Sequence, residues 1–127
     1  MPRVVLDTNV LVSATIRPLG PPGRVLAALA AGAFQHITSP QILEEMRGAL
    51  FAEELRAYQR LTPGEIEGLL MSVERGSLLV PGTAEVHVCR DPDDDKFFAA
   101  ALEGTADYIV SGDPDVQAVR SYGAPRS

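Results

Sequence analysis

Cysteine is nearly missing from this chain. Cys89 is the only one among 127 residues, which excludes an internal disulfide and any metal cage built from thiolates, and leaves redox chemistry without support. Its expected place is that of a small buried hydrophobe. Tryptophan is absent and aromatics make up only 6%, so aliphatic side chains and alanine must build the core. No apolar run approaches the ~20 residues that a membrane-spanning helix requires. Met1-Pro2-Arg3 leads straight into Val4-Val5-Leu6 and Asp7, without the apolar stretch and cleavage site of a signal peptide. A cytoplasmic protein with no membrane partner is expected. Basic residues are also scarce, 11 Lys and Arg against 17 Asp and Glu, for a net charge of −6. That balance argues against a protein that grips nucleic acid by a broad basic surface, so a phosphate-bearing partner would need help from metal. Four of the acids crowd into Asp91-Pro92-Asp93-Asp94-Asp95, where bound cations would cancel much of the local excess.

What is present is an alternation of strand and helix signals. One domain over residues 1–127 is expected, with no internal repeat and no linker, burying about two-thirds of the surface its unfolded chain exposes. Val4-Val5-Leu6 is a short continuous apolar run, as in a strand buried on both faces of a parallel sheet. A helix follows from about Asn9, then a Pro/Gly loop from Arg17 to Gly23, then a helix from Arg24 to Ala31 stopped by Gly32. Phe34 to Thr38 fits a second strand. Ser39-Pro40 supplies an N-cap with proline at the first helical position, opening a helix to about Glu54. Thr62-Pro63-Gly64-Glu65 has the spacing of a capping box, and Ile66, Leu69, Leu70 and Val73 share one helical face before Gly76. Leu78-Leu79-Val80 reads as a strand, Asp93 to Glu103 as a helix, Tyr108-Ile109-Val110 as a strand, and Pro114 to about Ser121 as a final helix. The implied fold class is α/β, a three-layer α/β/α sandwich around a central parallel sheet of Rossmann-like character.

In such a sheet the ligand crevice lies beyond the carboxyl ends of the strands. Asp7 follows the first strand, and Asp113 follows the Tyr108–Val110 strand through Ser111-Gly112. Each has a purely structural rival reading, an Asx-type turn at Asp7 and an N-cap before Pro114 at Asp113. The helix after Pro40 offers two glutamates, and its stripe Ile42, Leu43, Met46, Ala49 and Leu50 separates them. Glu45 falls roughly 100° from the stripe's centre, at its border, whereas Glu44 falls roughly 160° away and faces solvent. In the next acidic helix the stripe Phe97, Phe98, Ala101 and Leu102 places Asp94 almost on its axis, with Asp93 and Asp95 each roughly 100° off. Asp94 is therefore expected to point inward. The rival reading is that all three acids favour the positive end of the helix. Four converging carboxylates would repel one another unless cations neutralise them, and two Mg²⁺ or Mn²⁺ ions would balance four negative charges. Hard divalent ions prefer carboxylate oxygens, and His36 and His87 have neither the spacing nor the company of a zinc site. Such ions activate water and take up charge on a leaving oxygen in phosphodiester hydrolysis.

These residues, in this order, resemble the PIN-domain family, in particular its bacterial branch of VapC-like toxin components of toxin–antitoxin systems. The resemblance rests on Val4-Val5-Leu6-Asp7-Thr8-Asn9-Val10-Leu11-Val12, on Ser39-Pro40-Gln41-Ile42-Leu43-Glu44-Glu45-Met46, on Asp91-Pro92-Asp93-Asp94-Asp95-Lys96-Phe97-Phe98, and on Tyr108-Ile109-Val110-Ser111-Gly112-Asp113. It implies a Mg²⁺- or Mn²⁺-dependent endoribonuclease whose catalytic, metal-holding acids are Asp7, Glu45, Asp94 and Asp113. It further implies that Thr8 or Asn9 and Ser111 support these acids by hydrogen bonds, with Asp115 as a fifth candidate acid. RNA is then the substrate, a cognate antitoxin protein and a second copy of the chain are the partners, and the helix from Pro63 to Arg75 is a candidate docking surface. The family usually continues after the fourth acid into a further strand, whereas this sequence ends at Tyr122-Gly123-Ala124-Pro125-Arg126-Ser127, which puts closure of the sheet's edge in doubt.

Two other readings compete. A haloacid-dehalogenase-like phosphatase would use Asp7 as nucleophile and Gly112-Asp113-Pro114-Asp115 as its acidic loop, but it wants an acid where Asn9 stands. A catalytically silent PIN-like module binding RNA or protein would not need all four acids.

Overall fold

The run Val4-Val5-Leu6 forms the middle of the sheet. In the computed structural model, which describes residues 1–86 and 94–110 in full and residues 118–120 by their backbone, β1 (Arg3–Leu6) is parallel to β2 (Gln35–Thr38) on one side and to β4 (Tyr108–Val110) on the other. Beyond β2 lies β3 (Ser77–Leu79), also parallel, and beyond β4 lies β5 (Ala118–Arg120), which is antiparallel. Successive strand residues face opposite ways, so β1 feeds two cores. Val4 and Leu6 pack with Val10, Val25 and Leu29 of helices α1 (Thr8–Ile16) and α2 (Pro21–Ala30). Val5 joins Ile37 and Ile109 beneath Ile42, Met46, Leu70 and Phe97 of α3 (Pro40–Leu50), α4 (Pro63–Arg75) and α5 (Asp95–Gly104). This is the three-layer α/β/α arrangement around a parallel sheet. No helix among the described residues is long and apolar enough to cross a membrane.

Local chemistry explains where the helices start and stop. Ser39 accepts from the Ile42 amide at 3.3 Å and Pro40 follows, so α3 starts where β2 ends. At Thr62 the capping box is reciprocal: the Glu65 amide donates to Thr62 Oγ1 at 3.1 Å and the Thr62 amide to Glu65 Oε1 at 2.9 Å. Helix α5 ends with Thr105 at φ 54°, its amide donating to the Leu102 carbonyl at 3.3 Å while the Ala106 amide donates to that of Ala101 at 2.8 Å. These two bonds make a Schellman end. Just before it, a Cβ at Gly104 would stand 2.7 Å from Ile37 Cδ1, so only glycine lets α5 lie this close to the sheet.

Three elements depart from expectation. Helix α2 begins at Pro21 rather than Arg24, because prolines in the first turn forfeit no helical hydrogen bond. Helix α3 stops at Leu50, the last buried residue of its stripe; Ala52 turns to extended backbone and a 3₁₀ turn occupies Glu53–Leu55. The expected final helix from Pro114 to Ser121 is contradicted at 118–120, where β5 pairs with Ile109 and Val110. The sheet therefore has an edge strand beyond β4, correcting the doubt over its closure. A strand of three residues is defined by the partner it meets, and nothing local announces it.

The strand order β3-β2-β1-β4-β5 reverses direction between β1 and β4. In an open parallel sheet the ligand crevice belongs at such a reversal, at the carboxyl ends of those two strands.

Candidate functional site

Asp7 is the first residue beyond β1 and lies in that crevice, half-buried. Its amide donates to the carbonyl of Val110, the last residue of β4, at 3.0 Å. Asp7 also caps α1, its Oδ1 accepting from the Asn9 amide at 3.2 Å. The Asx-type turn is present, and it orients a carboxylate at the mouth of the sheet.

Glu45 lies one face around α3 from Glu44, as the apolar stripe requires: Glu45 is half-buried and Glu44 exposed. Its carboxylate is held from two sides. Buried Thr8, next in sequence to Asp7, donates its hydroxyl to Oε2, and the ammonium of Lys96, two residues beyond Asp94, pairs with Oε1. One carboxylate therefore ties together the starts of α1 and α5 and the middle of α3. Of the supporting residues expected from sequence, Thr8 bonds an acid through its side chain and Asn9 through its backbone.

Asp94 stands at the N-cap position of α5 and is exposed, which corrects its expected inward aim. The sequence stripe follows apolar size, but Leu102 is 47% exposed, whereas Phe97, Ala99, Ala100, Ala101 and Gly104 are buried. Using that buried set turns the stripe's axis by roughly 90°, and Asp94 moves to its flank. Asp95 lies on the far side of the helix from that stripe, and its Oδ1 is nevertheless buried with no hydrogen-bond partner among the described residues. Lys96 and Asp95 were missed by sequence reasoning. The signal for Lys96 was composition, since it is the only lysine of the chain and follows the densest run of acids.

Ser111, Asp113 and Asp115 lie outside the described residues, as do His87, Cys89 and Arg90. Among the described residues no three acidic, histidine or cysteine side chains come together as a metal cage; Glu45 is linked to Thr8, the neighbour of Asp7, and to Lys96, two residues beyond Asp94. The donors of Asp7 and Glu45 are hard carboxylate oxygens, which suit Mg²⁺ or Mn²⁺. His36 is excluded as a ligand. It is fully buried in β2, its Nδ1 lies 2.6 Å from Ser77 Oγ, and burial lowers its pKa to about 4. Ser77 donates its own proton to the Val73 carbonyl, so Nδ1 carries the ring hydrogen and Nε2 is left as a bare acceptor, buried without a partner.

The chain is 36% identical over 118 residues to an uncharacterized protein of Methanocaldococcus jannaschii, an alignment covering 93% of this chain and 75% of that protein. No solved structure matches significantly. The sequence description of the PIN domain matches residues 3–115, a span that runs from β1 through Asp7, Glu45 and Asp94 to Asp115. With the sheet order, the crevice and this match in accord, the chain belongs to the PIN-domain family, whose members are generally nucleases.

Proposed function

We propose that this chain is a Mg²⁺- or Mn²⁺-dependent endoribonuclease acting as one domain over 1–127, with Asp7, Glu45, Asp94 and Asp113 as its metal-holding acids. The observation that carries this reading is the carboxylate of Glu45, gripped between Thr8 beside Asp7 and Lys96 beside Asp94 at the mouth of the sheet. The four acids would hold one or two ions, which when bound activate water and stabilise the leaving oxygen. The chain's own residues do the positioning. Thr8 fixes the rotamer of Glu45, the Asn9 amide fixes Asp7, and the Asp7 amide is tied to the Val110 carbonyl at the end of β4. Asn9 stands where a haloacid-dehalogenase-like phosphatase needs an acid, and the family match leaves that rival without ground.

The direct test offers the protein RNA and, separately, a phosphate monoester with Mn²⁺. Internal cleavage of RNA is expected. Turnover of the monoester alone would reverse the assignment. Asp94→Asn should lower RNA cleavage by roughly 10²-fold or more while the protein stays folded, whereas a silent binding module would show no cleavage to lose.

At its finest level the reading makes the chain a cytoplasmic toxin, dimeric and restrained by a cognate antitoxin. A groove of about 260 Å³ between α3, α4 and β3, lined by Leu43, Leu70, Met71 and Leu79 with Glu44 and Arg47 at its side, supports a protein partner. The toxin assignment requires a neighbouring short reading frame whose product binds this chain and stops cleavage. Cleavage without such a neighbour would keep the nuclease and discard the toxin.

A further inference from the structure

Lysine occurs once in this chain, and it occurs in the site. Every other basic side chain is an arginine. The Lys96 side chain keeps only 13% of its accessible surface, its ammonium pairs with Glu45 Oε1, and the Phe97 ring lies 5.4 Å from the nitrogen. A cation so far removed from water is tolerable only with a carboxylate against it. The same pairing balances the charge of Glu45 when no other cation is present. An ammonium is a compact point charge with no fixed fork of donors, so it holds a carboxylate without locking it, unlike a bidentate guanidinium. A divalent ion at Glu45 would meet Lys96 as a like charge at close range, where the two repel. Both cannot occupy the same carboxylate comfortably.

Building on the metal-site reading, we infer that Lys96 is a displaceable internal cation: it holds Glu45 while the site is without metal and leaves it when a divalent ion arrives. Metal affinity is then set below what the acids alone would give, and Lys96 becomes a positioning residue whose exposure reports occupancy. The single lysine makes this measurable by mass spectrometry with an amine-reactive ester. Acetylation of Lys96 should speed up severalfold when Mn²⁺ is added, with the terminal amine as the internal reference. Unchanged or slower labelling at saturating Mn²⁺ would overturn the inference. A second measurement does not depend on access: by calorimetry, Lys96→Gln should bind Mn²⁺ about tenfold more tightly than wild type, and Lys96→Arg should not. A glutamine variant that is folded, as judged by circular dichroism, and binds Mn²⁺ no more tightly than wild type sinks this inference alone. Wild-type protein that takes up no Mn²⁺ sinks the metal-site reading and this inference with it.

Discussion

A single histidine gives this protein a defined acid sensitivity. His36 sits in the sheet as a neutral ring, with its Nδ1 hydrogen on Ser77 and its Nε2 unpartnered. Burial lowers its pKa from 6.5 to about 4. Between those values the unfolded chain binds a proton that the folded chain refuses. The stabilising contribution is therefore complete above about pH 6.5, declines as the pH falls, and is exhausted near pH 4, a loss of about 3 kcal/mol at most. Urea denaturation at pH 7 and pH 5 should show a loss of roughly 2 kcal/mol from this residue. His36→Leu removes the titration while leaving Ser77 bonded to the Val73 carbonyl. Its stability should fall less between the two pH values than that of wild type; equal losses would mean that His36 is not the group responsible. The same residue was read from sequence as a non-ligand, and its environment gives the physical reason, since nothing with charge can reach it without breaking β2.

Among the elements, α5 carries the sharpest local compromise. Its Schellman end places Thr105 at φ 54°, a conformation that costs a side chain with a Cβ about 1 kcal/mol and that glycine adopts freely. Thr105→Gly should raise stability by roughly 0.5 to 1 kcal/mol, read as a shift in the urea midpoint with an unchanged slope. A destabilised variant would mean that the threonine side chain makes a contact worth more than the strain. The start and end signals were legible in the chain at Ser39-Pro40, at the Thr62–Glu65 box and at the Tyr108–Val110 strand because each depends on neighbours within a few residues. Glu45 was legible because the stripe of α3 is made of large side chains. The stripe of α5 was not, because it buries Ala100, Ala101 and Gly104 and leaves Leu102 outside, a choice imposed by close approach to Ile37. Strand β5 and the Lys96–Glu45 pair escaped for a related reason: each joins residues far apart in sequence, and no local pattern encodes the meeting.

For the molecule as a whole, charge distribution sets what the site can do. A net charge of −6 argues against holding nucleic acid by a broad basic surface, and the acids at the mouth of the sheet add to the repulsion. On the proposed reading, substrate is drawn in by cations bound among the acids, and those cations bind the folded chain better than the unfolded one, whose carboxylates are scattered. Folding and metal uptake are then linked: at tenfold excess over the dissociation constant the folded state gains about 1.4 kcal/mol, and at a hundredfold about 2.7. For a chain of this length that corresponds to a rise of roughly 4 to 10 °C in the melting temperature. Scanning calorimetry with millimolar Mn²⁺ should show the rise, and Na⁺ at matched ionic strength should not. Asp7→Asn separates site binding from general screening, because it removes one carboxylate from the crevice and changes the net charge by only one. It should abolish most of the Mn²⁺ effect. A wild-type melting temperature indifferent to Mn²⁺, or an equal rise in Asp7→Asn, would show that the acids at the carboxyl ends of β1 and β4 do not act together on a cation.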